Sequence, residues 1–341
     1  MPSRSPRAGE LPRQVYIETT NRCNSRCQTC VRTFHPLEPA RDLSLDELAA
    51  IVAQFPVLER VALHGIGEPL LVEALPAMIR HVKERHPAAA VLFNTNAILL
   101  DDARQRELIR TGLDEARISL DAASAATYAA IRGVDAFDRV VDNVRHFARL
   151  LDGGGRPRLS FWFTTMRENL AELPALVDLA GQLGVREVHV QRLVLIHEGL
   201  AQADQSLYRR LGAREEAYLA EAARRAQAHG VHLGASGRIS PQQSLAGEGN
   251  AGLAAADTGD GPWTACYRMW TSTYITANGN VLPCCISPFS TADYARLILG
   301  NVLETPFAEI WNGAGYVERR TALYTEHPLD PCAQCGTNWS L

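Results

Sequence analysis

Three cysteines stand close together near the start of the chain. Cys23, Cys27 and Cys30 form a C-x3-C-x2-C pattern directly after the strand-like run Val15–Glu18. Three thiolates on one tight loop can hold three irons of a [4Fe–4S] cube and leave the fourth iron open, whereas structural zinc needs four ligands in a closed tetrahedron. The nearest further donor is the weakly placed His35. We therefore expect an iron–sulfur cluster with an open iron that can bind a substrate or cofactor.

A second group of cysteines lies in the last quarter of the chain and has the composition of a closed four-thiolate site. It consists of Cys266, Cys284, Cys332 and Cys335. The turn at Asn278-Gly279 predicts a β-hairpin that brings Cys284 back beside the strand after Cys266. Four thiolates suit zinc as well as iron–sulfur, so the residues alone leave both open. Cys285 is left over, and we expect it to be a buried small hydrophobe.

Strand-like and helix-like runs that alternate from Val15 to about Gly230 must position these loops. Such alternation predicts repeated βα units and a parallel sheet. The predicted strands are Val15–Glu18, Arg60–Leu63, Ala90–Asn94, Glu115–Leu120, Leu159–Thr164 and Arg186–Gln191. The predicted helices are Leu45–Gln54, Leu75–Arg85, Asp101–Arg110, Phe137–Leu151, Leu173–Leu183 and Leu207–His229. Six units are too few to close an eight-stranded barrel, so we expect an α/β fold with a six-stranded partial (β/α)6 barrel and an active site at the carboxyl ends of its strands.

The chain divides into four predicted segments. Residues 1–14 form a tail, 15–230 the partial barrel, 231–262 a linker rich in Gly, Ala, Ser and Gln, and 263–341 a small C-terminal domain. In this last domain the pattern predicts the hairpin and one or two short helices around Phe307–Leu323.

The cysteine loop after the first strand of a partial barrel resembles the radical S-adenosylmethionine (SAM) superfamily over residues 15–192. The resemblance implies that the open iron chelates the amino and carboxylate groups of SAM, and that reductive cleavage yields a 5′-deoxyadenosyl radical which abstracts a substrate hydrogen. The C-x12-G-x4-C spacing that begins at Cys266 resembles the SPASM/twitch auxiliary-cluster extension. Because the chain ends six residues after Cys335, we expect the single-cluster twitch form. The implied cofactors are two [4Fe–4S] clusters and SAM, with a flavodoxin- or ferredoxin-type electron donor as partner.

The same resemblance suggests which residues bind SAM. The run His64-Gly65-Ile66-Gly67-Glu68-Pro69 looks like the family's Gly-Gly-Glu motif for the methionine amino group. Polar residues after the third and fourth strands match positions that contact the ribose and the methionine carboxylate, and the end of the sixth strand is expected near adenine. The candidate cofactor-binding residues are Gly65, Gly67, Glu68, Asn96, Ser119 and Gln191.

Two charged residues at strand ends are the candidate catalytic groups. Glu18, at the end of the first strand, is expected either to face the substrate cavity or to be a surface carboxylate. Arg192, at the end of the sixth strand, could hold a substrate hydroxyl or carboxylate. His64 and His197 are weaker acid/base candidates, because a lone histidine is more often structural.

Composition excludes several classes of function. Lys83 is the only lysine, which argues against Schiff-base, pyridoxal phosphate and P-loop chemistry. A formal net charge of -4 without basic runs argues against nucleic-acid binding. No stretch is apolar and long enough for a membrane span, and we expect no signal segment and a cytoplasmic location. In the cytoplasm we expect the eight cysteines to be metal ligands or spectators rather than disulfides.

Three hypotheses of function remain open. The first is a radical enzyme that oxidises a carbinol of an aminocyclitol, aminosugar or nucleoside sugar to a ketone, with the auxiliary cluster as electron acceptor, or that decarboxylates a sugar acid. The second is a peptide maturase that forms crosslinks. We expect no room before Cys23 for the amino-terminal peptide-recognition domain that many maturases carry, which weakens this hypothesis but leaves it open, because a separate chain can recognise the peptide. The third is a zinc-stabilised binding protein without catalytic activity.

Overall fold

One predominantly parallel sheet organises the protein. The computed structural model describes residues 5–151, 155–194, 204–235, 239–247, 266–289, 293–324, 328–329 and 332. The strands in chain order are β1 Gln14–Ile17, β2 Arg60–Ala62, β3 Ala90–Thr95, β4 Glu115–Ser119, β5 Arg158–Thr165, β6 Glu187–Arg192, β7 His232–Ala235, β8 Ser272–Ile275 and β9 Val281–Leu282. Their order across the sheet is β7-β6-β5-β4-β3-β2-β1-β8-β9, and only the β8–β9 pair is antiparallel.

Helices follow most of the strands. They are α1 Val31–Phe34, α2 Leu45–Val52, α3 Leu75–Arg85, α4 Asp102–Ile109, α5 Ala125–Arg132, α6 Phe137–Leu150, α7 Leu173–Leu183, α8 Ala213–His229, α9 Pro241–Ala246, α10 Arg268–Thr271, α11 Phe307–Trp311 and α12 Ala314–Ala322. Local chemistry sets their ends: Ser44 and Glu47 form a capping box at the start of α2, and Gly184 ends α7 in the left-handed conformation. Among the described helices, none combines the length and apolar character that a bilayer crossing requires.

The two faces of the sheet differ in polarity because side chains alternate along each strand. Val15 and Ile17 of β1, like Phe161 and Phe163 of β5, are buried in the main hydrophobic core with the helices. Residues between and beside them face the other way. On this inner face the strands carry half-buried polar and aromatic side chains, among them Tyr16, Asn94, Arg117, Trp162 and His189. A parallel strand covered on both faces would be apolar throughout, so the inner face is built for something other than packing.

The six predicted strands are confirmed as β1–β6, in sequential order across the sheet and with ends shifted by one residue at most. The predicted helices are also present, although α8 begins at Ala213 rather than Leu207 because Gly212 is its N-cap. Helix α5 was not predicted. Its sequence is alanine-rich and carries only two large apolar buried residues, Tyr128 and Ile131, so its periodicity is weak.

The segment predicted as a linker, 231–262, contains a strand and a helix in its described part. Strand β7 pairs in parallel with β6 and extends the sheet, and α9 starts at a Ser240 capping box. The sequence offers little to indicate β7. Gly230 ends α8 in the left-handed conformation, and the strand that follows has only four residues. The domain boundaries themselves stay a prediction.

The predicted C-terminal hairpin is present as β8 and β9, with Gly279 at φ +83° in the turn. Strand β8 pairs in parallel with β1, with Tyr16 opposite Tyr274. The hairpin therefore continues the barrel sheet on its β1 side. Consequently Cys284, which follows β9, lies at the end of a hairpin that is paired with the strand preceding the first cysteine loop.

Candidate cofactor and cluster site

The loop after β1 carries the three predicted cluster ligands, Cys23, Cys27 and Cys30, all half-buried free thiols. Burial raises the pKa of Cys23, and it raises the pKa of Cys30 to about 11. Thiolates at these positions therefore need a cationic partner, which iron supplies, because metal binding is what deprotonates a ligand thiol. This donor set fits a cluster that is bound through three cysteines.

Helix α5 holds the cysteine loop in place. The backbone N–H groups of Arg26 and Gln28 donate to the carbonyl oxygens of Arg132 (3.1 Å) and Ile131 (2.9 Å). Gly133 follows at φ +64°, and a Cβ there would lie 2.4 Å from the Arg26 carbonyl oxygen. The loop and the end of α5 can approach this closely only because residue 133 is glycine.

Arg132 brings a buried guanidinium to the cysteine loop. It forms an ion pair with Asp121 at 2.6 Å, and its Nη1 donates to Cys27 Sγ at 3.9 Å. Among the described residues, its buried Nε has no hydrogen-bond partner. A guanidinium with a spare donor suits a carboxylate, so Arg132 could hold the methionine carboxylate of SAM. Sequence reasoning missed it; the available signal was an arginine on a buried helix turn before a glycine, in Ile131-Arg132-Gly133.

Glu68 is buried and already bonded by the protein. Its carboxylate accepts from Thr95 Oγ1 (2.6 Å), from the backbone N–H of Asn96 (2.7 Å) and from that of Leu70 (3.1 Å). Glu68 is one of the residues that the sequence predicts to bind SAM. These bonds tie the loop after β2 to the end of β3. A carboxylate has about four acceptor positions, so Glu68 retains capacity for another donor, and its role in SAM binding stays a prediction.

Asn96 also acts on the cysteine loop. Its Nδ2 donates to Asn24 Oδ1 (2.7 Å) and Ser25 Oγ (3.1 Å) and lies 3.9 Å from Cys23 Sγ. This contact places Asn96 beside the predicted cluster. Ser119 and Gln191 are half-buried at the carboxyl ends of β4 and β6, and their role in SAM binding stays a prediction.

The two glycines after β2 are required by close packing against other loops. A Cβ at Gly67 would lie 2.1 Å from the carbonyl oxygen of Thr20 and 2.7 Å from that of Arg22. A Cβ at Gly65 would lie 2.1 Å from Glu18 Oε2 and 2.2 Å from Tyr274 Oη. The loop that resembles the Gly-Gly-Glu motif is thus fitted against the segment leading into the cysteine loop.

The structure corrects the expectation that Glu18 either faces the substrate cavity or is a surface carboxylate. Its side chain is 2% exposed, and both carboxylate oxygens accept hydrogen bonds from the protein. Arg192 is half-buried with its guanidinium 4.5 Å from the centre of the Tyr208 ring, and its catalytic role stays a prediction. His197 lies outside the described residues.

The inner face of the sheet is lined by stacked aromatic and cationic groups. The Arg117 guanidinium lies 4.0 Å from the centre of the Trp162 ring, which stacks on His189 at 4.1 Å. Burial, and then the charges of Arg117 and Arg60, lower the pKa of His64 to about 3, which favours its neutral form. These side chains give a substrate that enters the barrel both flat and charged surfaces to contact.

Three of the C-terminal cysteines, Cys266, Cys284 and Cys285, lie near Arg268. Its Nη1 lies 3.1 Å from Cys285 Sγ, and the nearby sulfurs of Cys285, Cys284 and Cys266 raise its pKa. Burial raises the pKa of Cys284 to about 11, and its backbone N–H donates to Ser287 Oγ. Cys285, expected to be a small hydrophobe, does pack against the hairpin but also contacts this guanidinium. A cation beside several sulfurs fits a thiolate cluster site.

Of the last two predicted ligands, Cys332 and Cys335, only Cys332 lies among the described residues. Cys332 is half-buried against the main core, and its N–H donates to the Leu329 carbonyl at 2.8 Å. Cys335 lies outside the described residues. Within the described ranges, no three His, Cys, Asp or Glu side chains are arranged as a site for a single metal ion. The grouping of all four C-terminal cysteines stays a prediction.

Comparison with known proteins agrees with this arrangement. Residues 17–180 match the model of the radical SAM superfamily, and residues 266–336 match SPASM, an iron–sulfur cluster-binding domain. A PqqA peptide cyclase from Streptomyces rochei is 29% identical over 331 residues, which cover 95% of this chain and 81% of the relative. A probable GTP 3',8-cyclase from Saccharolobus solfataricus is 34% identical over 192 residues, 55% of this chain and 59% of the relative.

Solved structures share the fold. Streptococcus suis SuiB superposes with a TM-score of 0.69 at 16% identity, over 92% of this chain and 68% of that one. The structure of anSMEcpe with bound AdoMet gives a TM-score of 0.66 at 14% identity, over 94% and 86%. The two domain matches imply SAM and two [4Fe–4S] clusters as cofactors. The chain therefore belongs to the radical SAM superfamily and is a radical SAM enzyme with a C-terminal SPASM domain.

Proposed function

We propose that this enzyme is a peptide maturase that crosslinks two residues of a peptide substrate. The observation that carries the proposal is the extent of the relatives' match. PqqA peptide cyclases from Streptomyces rochei and Granulibacter bethesdensis align with 95% and 96% of this chain, through both domains. The GTP cyclases align with little more than half of it. The crosslinking alternative is thus better supported than oxidation of a sugar-like carbinol.

Structural neighbours add support of a second kind. SuiB has been solved bound to the precursor peptide SuiA, and that complex superposes on this chain with a TM-score of 0.65. This neighbour supports a peptide as the substrate, and in the proposal a peptide replaces the small-molecule partner that we expected.

The site residues have distinct roles in this function. Bound SAM and its cluster would supply a carbon radical that removes a hydrogen atom from the substrate. Arg132 would hold the methionine carboxylate, and Asn96 would orient the cysteine loop. The inner face, with Arg117, Trp162 and His189, would contact the side chain that is to react. A flavodoxin- or ferredoxin-type protein would deliver the electron, and the C-terminal cysteines would hold the cluster that accepts one.

The test is mass spectrometry of candidate peptides. The reconstituted enzyme, dithionite and SAM are incubated anaerobically with peptides encoded by short reading frames beside its gene. The expected product is lighter than the peptide by two hydrogen atoms. Its fragmentation spectrum should lack the ions that arise from backbone cleavage between the two crosslinked residues. Conversion of an aminocyclitol or nucleoside sugar to a ketone, with every such peptide left unchanged, would contradict the proposal.

A further inference from the structure

Glu18 lies where three segments that are distant in sequence meet. Its Oε2 accepts from the backbone N–H of Ile66 (2.9 Å) and from Tyr274 Oη (2.7 Å), and its Oε1 accepts from the backbone N–H of Ala277 (3.2 Å). Its own backbone N–H donates to the Ile275 carbonyl at 2.8 Å. One carboxylate therefore connects the end of β1, the loop after β2 and the C-terminal hairpin.

The loop after β2 touches this carboxylate without spare room. A Cβ on Gly65 would lie 2.1 Å from Glu18 Oε2 and 2.2 Å from Tyr274 Oη. The Gly65 backbone thus packs directly against both oxygen atoms. A shift of either side chain would allow the Gly65–Gly67 loop to move.

Both side chains are held firmly. Glu18 and Tyr274 are each 2% exposed, and a buried carboxylate is costly unless donors surround it. Tyr274 also lies on β8, where it is opposite Tyr16 of β1. The position of the Tyr274 hydroxyl is accordingly set by the C-terminal domain and not by the loop that it supports.

We propose that Glu18 and Tyr274 are positioning residues through which the C-terminal domain sets the Gly65–Gly67 loop for SAM. The C-terminal domain would then have a second task besides carrying a cluster: without its hairpin, the SAM-binding loop of the barrel would lack one wall. This inference rests on the assignment of that loop to SAM and is independent of the substrate.

The test compares two tyrosines of the C-terminal domain in the reconstituted holoenzyme. Tyr274→Phe removes the hydroxyl that bonds Glu18. Tyr316→Phe is the matched control, because Tyr316 is fully buried and its hydroxyl bonds Thr273 on the same strand, away from the loop. Equilibrium dialysis measures the dissociation constant of SAM, and iron analysis checks the cluster content. A turnover assay with SAM and dithionite alone gives kcat and the KM for SAM from the rate at which 5′-deoxyadenosine forms.

Tyr274→Phe is expected to weaken SAM binding about tenfold, the effect of losing one buried hydrogen bond that positions the loop. KM should rise with the dissociation constant, while kcat at saturating SAM and iron content stay near wild type. Tyr316→Phe should leave SAM affinity unchanged. Equal SAM affinity in Tyr274→Phe and wild type, or an equal loss in both variants, would overturn the proposal.

A second variant covers the case in which Tyr274→Phe does not retain its iron. Glu18→Gln keeps the size of the side chain but presents an NH2 group to one of the three donors. It is expected to weaken SAM binding by a similar factor. Full SAM affinity in Glu18→Gln would overturn the proposal whatever the behaviour of the tyrosine variant. Because no peptide enters these assays, their outcome is separate from that of the proposed function.

Discussion

At the scale of single residues, the proposed chemistry depends on the three predicted ligand cysteines and on the polar groups around them. Asn96 and Arg132 each place a nitrogen 3.9 Å from a cysteine sulfur of the β1 loop. Hydrogen bonds to cluster sulfurs tune the potential and hold the ligand loop. These neighbours come from β3 and α5, so the site is shared between three βα units.

Replacement of one loop cysteine should separate the two clusters. Cys27→Ala is expected to abolish 5′-deoxyadenosine formation and to lower the iron content from about eight to about four per chain, because the C-terminal cluster remains. Cys285→Ala, outside the predicted ligand set, should retain about eight irons. Iron analysis after anaerobic reconstitution checks both; loss of four irons in Cys285→Ala, or none in Cys27→Ala, would contradict the ligand assignment.

Arg132 should be needed for SAM as well as for stability. Arg132→Gln leaves Asp121 buried without its ion pair, at a cost of about 3 kcal/mol in the free energy of unfolding. It should also weaken SAM binding at least about tenfold, because a charged donor is lost. Arg117, which is paired with Glu115 on the inner face, provides the control: Arg117→Gln should lower stability and leave SAM affinity unchanged. Thermal unfolding and equilibrium dialysis separate the effects; unaltered SAM affinity in Arg132→Gln would exclude the carboxylate role.

The buried Glu18 should make stability depend on pH. Burial raises its pKa to about 7 from the ordinary value of 4.5, so between these values the folded protein retains a proton that the unfolded chain has lost. The stabilisation is complete below about pH 4.5 and is lost as the pH rises through about 7. Glu18→Gln cannot titrate, so its unfolding midpoint should fall less than that of wild type between pH 5.5 and pH 8. Parallel curves would show that Glu18 is ionised throughout.

At the scale of elements, the strands and helices could be predicted more completely than the site. The six barrel strands follow from apolar runs bounded by turn residues, and Leu75–Arg85 and Leu173–Leu183 were predicted to the residue. Helix α5 and strand β7 escaped prediction because each is short and weakly periodic. The cysteine spacing indicated the ligand loop. The hydrogen-bond partners of Glu18 and Glu68 could not be predicted from the sequence, because they come from segments far apart in the chain.

The hairpin turn should be sensitive to any side chain at position 279. Gly279 has φ +83°, and a Cβ there would lie 2.6 Å from Asn301 Oδ1. Gly184 is the matched control, with φ +77° and open space around its Cβ position. Gly184→Ala should cost about 1 kcal/mol in the free energy of unfolding, from backbone strain alone, whereas Gly279→Ala should cost clearly more. Denaturant unfolding compares them; equal losses would show that the turn has room to adjust.

At the scale of the whole molecule, the C-terminal hairpin joins the radical SAM and SPASM domains through one continuous sheet. Strand β8 lies beside β1, so the sheet that carries the first cysteine loop also carries Cys284 just beyond β9. Further contacts reinforce the connection: Tyr294 Oη and Asn280 Nδ2 both donate to Glu38 Oε1, at 2.8 Å and 2.9 Å. Glu38 follows the cysteine loop and Glu18 precedes it, so the C-terminal domain contacts the chain on both sides of that loop.

The central claim is that the radical formed at this site takes its hydrogen from a peptide. The most direct measurement is isotope transfer. A candidate peptide deuterated at its side chains is incubated with the reconstituted enzyme, dithionite and SAM, and the 5′-deoxyadenosine is analysed by mass spectrometry. The claim predicts deuterium in 5′-deoxyadenosine together with a crosslinked peptide. Unlabelled 5′-deoxyadenosine and an intact peptide, while a deuterated aminocyclitol or nucleoside sugar does transfer its label, would contradict it.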